Sequence, residues 1–86
     1  MTKKFWADWQ KRVGETKRIY QGRYYFLNNY EHPNRFISFD FSKDTVDITY
    51  EVLNWVIGPN GGHNHSEIHK ITLHRNDITT IKFRDE

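Results

Sequence analysis

The chain has 86 residues, enough for one domain and too few for a second core. It contains no cysteine, which excludes a disulfide framework and a thiolate zinc site, and its net charge of +2 does not by itself mark a polyanion binder. Three Trp, five Tyr and six Phe supply the large side chains that so small a core requires.

The charge is unevenly placed. Residues 1–23 carry seven Lys/Arg against two Asp/Glu, whereas the remainder carries six against nine. The start, Met1-Thr2-Lys3-Lys4, is basic, but Asp8, Gln10, Lys11 and Arg12 interrupt any apolar stretch that a signal peptide would need. The longest uncharged run, from Val52 up to Glu67, is broken by Asn54, Gly58, Pro59 and the Gly61-Gly62 pair, so nothing approaches a membrane span. A soluble, cytoplasmic chain with no membrane partner is expected.

In chain order, Phe5, Trp6, Trp9, Val13, Thr16 and Tyr20 fall on one stripe at helical spacing. Lys3, Lys4, Lys11 and Arg18 occupy the opposite side. This predicts an amphipathic helix over residues 1–19, capped by Thr2 and weakened at Gly14. From about residue 20 the apolar residues alternate two by two, as strands require. The alternation predicts five strands, at 19–27, 35–41, 45–57, 67–74 and 78–84. The turn-rich residues 28–34 and the short link 42–44 separate the first three. A glycine-rich loop, residues 58–65, follows the third strand, and Arg75-Asn76-Asp77 closes a final hairpin with Ile71, Leu73, Ile81 and Phe83 inward. Past Val52 the pattern breaks, because Leu53, Trp55 and Ile57 are apolar where polar residues are due. A bulge, a register switch or a doubly covered strand end would each account for that.

The fold class is therefore α+β. One domain, residues 1–86, has an N-terminal helix (1–19) on a five-stranded antiparallel meander (20–86), either open or curled toward a small barrel.

Four constellations bear on function. Two or three imidazoles of His63, His65 and His69, with Glu67 as an oxygen donor, could hold a metal weakly; a solvated hairpin loop is the plainer reading. His74 points to the other side, and the tripeptide His63-Asn64-His65 lacks the helix that an HNH nuclease site needs. A second group, Arg18, Arg23, Tyr24, Phe26 and Arg35, mixes cations and aromatics as single-stranded nucleic-acid binders do. Tyr20, Tyr25, Tyr30 and Phe36 belong to the same stretch. Against it stand the modest net charge and the absence of the aromatic-glycine spacing of RNA-recognition domains.

Catalysis has little to stand on. Ser38, Ser42 and Ser66 lie on no nucleophile elbow, no phosphate-cradling loop precedes a helix, and Glu31, His32, His69 and Arg75 supply acid–base types without evidence of convergence. The fourth is protein recognition. One helix covers one sheet face, leaving Tyr24, Phe26, Phe36 and Trp55 as candidates for a partner or homodimer seam. The sequence thus predicts a non-enzymatic binding or regulatory protein acting through protein contacts or self-association, without a cofactor. Binding of RNA or single-stranded DNA is the alternative, and a weak His-loop metal site the second alternative.

Overall fold

A computed structural model describes residues 1–28 and 35–86. The Thr2 hydroxyl accepts the Phe5 N–H at 3.1 Å and starts α1 (Lys3–Lys11). The helix is shorter than its periodicity predicts. A 3-10 turn (Val13–Glu15) follows, and the chain is extended from Thr16. Gly14 weakens the helix, and the β-branched Thr16 and Ile19 favour extended backbone. The Trp9 indole N–H donates to the Thr16 hydroxyl at 2.7 Å in a buried bond, fastening the turn to the helix. Thr16 is therefore buried as the helical stripe requires, but from a strand. Phe5, at the stripe's edge, is 41% exposed.

Among the described residues six strands form two sheets, replacing the single five-stranded meander, and neither sheet closes into a barrel. The strands are β1 (Thr16–Gln21), β2 (Tyr24–Leu27), β3 (Arg35–Phe41), β4 (Thr45–Gly58), β5 (Gly61–His74) and β6 (Thr80–Phe83). Their orders are β2-β1-β6 and β3-β4-β5, with all neighbours antiparallel. Three differences from the sequence reading produce this. The strand expected over 19–27 is a hairpin turning at Gly22, whose φ is +63°. The two-residue turn pairs Gln21 with Tyr24 and reverses the alternation, but Tyr24, Tyr25, Phe26 and Leu27 are large apolar residues at every position, so the reversal leaves no mark in the pattern. The loop expected over 58–65 is only Pro59-Asn60, and Gly61 opens β5 at φ +102°. Finally, β6 pairs with β1 and not with β5, because Arg75–Asp77 forms a 3-10 turn and Ile78 is buried beyond it.

The core lies between α1 and the inner faces of both sheets. Trp6, Trp9, Ile19, Val46, Ile48, Leu73, Ile78, Ile81 and Phe83 are buried there. Trp6 and Trp9 meet edge-on at 5.6 Å, and each meets the Phe41 ring edge-on, at 5.2 and 5.1 Å. The buried Asn28 ties the sheets together. Its side-chain N–H donates to the Thr16 carbonyl at 3.1 Å, and its Oδ1 accepts the Phe36 N–H at 2.9 Å.

The molecule is elongated, measuring 53 × 25 × 23 Å with a radius of gyration of 14.9 Å. A compact chain of this length would have a radius near 12 Å, by the usual scaling of about 2.2·N^0.38 Å. The excess comes from β4 and β5, whose fourteen residues each span roughly 46 Å at about 3.3 Å per residue.

The two buried tryptophans should respond differently to truncation. Trp9→Phe removes the donor of a buried hydrogen bond as well as volume, and should cost about 2–4 kcal/mol. The Trp6 indole N–H has no hydrogen-bond partner among the described residues, so Trp6→Phe relieves a desolvated donor and should cost about 1 kcal/mol less. Urea denaturation of both variants checks the order.

Candidate functional site

β3 accompanies β4 only as far as Glu51, which pairs with Arg35. Beyond it β4 and β5 continue through seven more pairs, Val52↔Glu67 to Gly58↔Gly61, without a register shift. Among the described residues this distal half is a two-stranded arm. Alternation fixes its faces. Val46 and Ile48 point into the core, so Val52, Asn54 and Val56 share their side, while Leu53, Trp55 and Ile57 continue the outer row of Thr45, Asp47, Thr49 and Glu51. The break past Val52 therefore needs no bulge between β4 and β5. The apolar set changes faces as the hairpin leaves the body.

The outer face of the arm is apolar and open. Trp55 is 64% exposed, Ile57 82% and Ile68, opposite Glu51, 61%, with Leu53 half-buried beside them. The Trp55 indole lies across Gly62, where a Cβ would overlap the ring. Gly62 is thus the residue that lets the indole lie flat on β5. From Val52 to Ser66 no side chain carries a fixed charge, and the first cation after Val52 is Lys70.

The inner face of the arm carries the histidines. His63, His65, Glu67 and His69 follow one another at every second position of β5, in one row on an extended strand. The His69 ring nitrogen lies 3.0 Å from one Glu67 oxygen, and His65 lies 3.7 Å from the other. The His69 ring also stacks on Tyr50 at 5.5 Å. Successive members of such a row stand about 7 Å apart along the strand. No group of three or more His, Cys, Asp or Glu among the described residues is arranged to hold a metal ion.

The residues of the expected aromatic face are not brought together. Tyr24, 81% exposed, and Trp55 are both open, but on different sheets. Phe26 and Phe36 are partly buried and pack against the core. Phe36 is turned inward by an irregularity between Phe36 and Ser38, which sets it edge-on to Phe39 at 5.5 Å and leaves Ile37 48% exposed. The cation–aromatic set is divided too. Arg35 pairs with Glu51 at 3.4 Å on one sheet, while Arg18, Arg23, Tyr24 and Phe26 belong to the other.

Of the acid–base candidates, Arg75 is held by Asp44 at 3.1 Å and by the Met1 carbonyl at 2.7 Å, away from His69; Glu31, His32 and Tyr30 lie outside the described residues. A shallow groove between α1 and β6 is lined by Met1, Phe5, Arg12, Ile81 and Glu86. Its Arg12 is engaged by Glu15 at 3.0 Å and by Asp85 at 3.3 Å, and stacks over Phe83. The Glu15 hydrogen bond raises its already high pKa. No helix among the described residues is long and apolar enough to cross a membrane. Compared with known proteins, the chain matches no family model, no curated protein and no solved structure.

Gly62→Ala should displace the Trp55 indole without unfolding the body. In ¹H–¹⁵N spectra the indole resonance of Trp55 should move while those of Trp6 and Trp9 stay, with stability changed by no more than about 1 kcal/mol.

Proposed function

We propose that this chain is a non-enzymatic binding protein whose contact element is the outer face of the β4–β5 arm. The observation that carries the reading is the joint exposure of Trp55, Ile57 and Ile68, on an arm that no third strand accompanies among the described residues. An isolated two-stranded hairpin is marginal in water, and three or more strands or a covering layer are needed for independent stability. A segment that keeps large apolar side chains in water gains most by docking them on another surface. Tryptophan is the residue most enriched where such surfaces meet.

The arm's chemistry selects the kind of partner. With no Lys or Arg from Val52 to His69, it offers nothing to a phosphate backbone. It suits an apolar protein surface, including a second copy of itself arranged about a two-fold axis. Trp55 is the member of the predicted partner-binding set that this reading retains as an anchor.

Self-association is the version open to direct measurement. In sedimentation equilibrium the wild-type weight-average mass should rise with concentration. Replacing Trp55→Ser together with Ile57→Lys should weaken association at least about tenfold, with little change in the melting temperature of dilute protein. A wild-type chain that stays monomeric to about 1 mM, where binding is weaker than about −4 kcal/mol, removes the self-association version.

A further inference from the structure

The outer face of the β2-β1-β6 sheet is a second surface, chemically unlike the arm. Ile19 pairs with Phe26 on one side and Ile81 on the other, and all three face the core. Their strand neighbours consequently face outward in two rows across the sheet. One row is Leu27, Arg18 and Lys82; the next is Tyr25, Tyr20 and Thr80. The Tyr20 and Tyr25 rings lie 5.3 Å apart with a 38° tilt, and the Arg18 guanidinium lies over the Tyr25 ring at 5.5 Å. Tyr25 is 51% exposed. Arg23 stands in the β1–β2 turn, whose Gly22 N–H is fastened to the Thr79 hydroxyl at 3.0 Å.

No carboxylate occupies either row. Among the described residues no ion pair engages Arg18, Arg23 or Lys82, although Arg12, Arg35, Lys70 and Arg75 all hold acidic partners. Two adjoining phenol rings bordered by uncompensated cations have the chemistry of a base-stacking platform with phosphate contacts at its margin. The charge complementarity favours a flexible polyanion with flat apolar groups. A rigid duplex conceals its base faces and would leave the rings unused.

We infer that this sheet face binds single-stranded nucleic acid, with Tyr20 and Tyr25 stacking successive bases and Arg18, Arg23 and Lys82 contacting the phosphates. The surface is separate from the arm, and the inference does not depend on the arm's role.

Fluorescence anisotropy with labelled oligo(dT) and oligo(U) dodecamers, against a duplex of equal length, tests it. Both single strands should bind more tightly than the duplex. Three phosphate contacts imply a log–log salt slope near −2, hence roughly a tenfold or greater loss between about 50 and 200 mM salt. Tyr25→Ala should weaken binding by about five- to a hundredfold, Tyr25→Phe should restore it to within about threefold, and Lys82→Gln should make the slope shallower by about 0.7. Circular dichroism establishes that the variants are folded. Lys43→Gln, an exposed cation in the link between β3 and β4, should leave the affinity unchanged. The inference is overturned if no oligonucleotide binds at low salt. Equal affinity for duplex with no response to Tyr25→Ala overturns it as well, because that is charge attraction alone. A loss caused by Trp55→Ser and not by Tyr25→Ala would place binding on the arm and overturn it equally.

Discussion

The rest of the structure depends on a mismatch of strand length. β4 and β5 have fourteen residues each, whereas β3 has seven and ends opposite Glu51. A β-strand turns successive side chains to opposite faces, so fourteen pairs in unbroken register commit every residue to one side. Near the body the apolar residues Val46, Ile48 and Leu73 face inward and are buried. Further out the larger apolar residues, Trp55 and Ile57, occupy the opposite side and stay in water. With no bulge between β4 and β5 to rotate them back, the strands among the described residues leave them uncovered.

The body can carry such an arm because its own interior is closed twice over. Trp6 and Trp9 fill the space between the sheets with edge-on aromatic contacts, a geometry that contributes about 0.5–1.5 kcal/mol per pair beyond area burial. Asn28 then joins the sheets through hydrogen bonds to Thr16 and Phe36, in an interior where leaving either partner unmet would cost about 1–3 kcal/mol. Arg75 closes the far side against Asp44 and Met1. The arm and the outer face of the β2-β1-β6 sheet therefore belong to different sheets of one anchored body. The outer face of the arm beyond Glu51 carries no charged side chain, whereas the other surface is aromatic and basic, so the two differ in chemistry.

Much of this architecture is legible in the sequence, and the exceptions share a cause. Alternation locates β3 at residues 35–41, places the start of β4 at Thr45 and marks Leu73, Ile81 and Phe83 as inward. A two-residue turn reverses the alternation, and the reversal goes unseen where, as from Tyr24 to Leu27, every residue is large and apolar. The β1–β2 hairpin at Gly22 is thus hidden inside one apparent strand. Gly58, Gly61 and Gly62 look like a loop, although Gly61 serves the turn and Gly62 makes room for Trp55. Helical periodicity overran α1 because Thr16 is buried for another reason, its bond to Trp9. Pairing of β6 with β1 rests on contacts between opposite ends of the chain, which no local pattern encodes. For the candidate surfaces, Trp55 and Arg18 were visible by residue type. Tyr20, Tyr25 and Lys82 emerged as neighbours only once the register was known.

Native-state amide exchange on dilute protein tests the central claim, that the distal hairpin is unaccompanied and uncovered in the single chain. Hydrogen-bonded amides within 52–58 and 61–67 should open locally and exchange at least about a hundredfold faster than those of Val46, Ile48 and Leu73, which should approach the global unfolding limit. Equal protection along the whole of β4 and β5 would mean that the arm is covered within the monomer, contradicting the account.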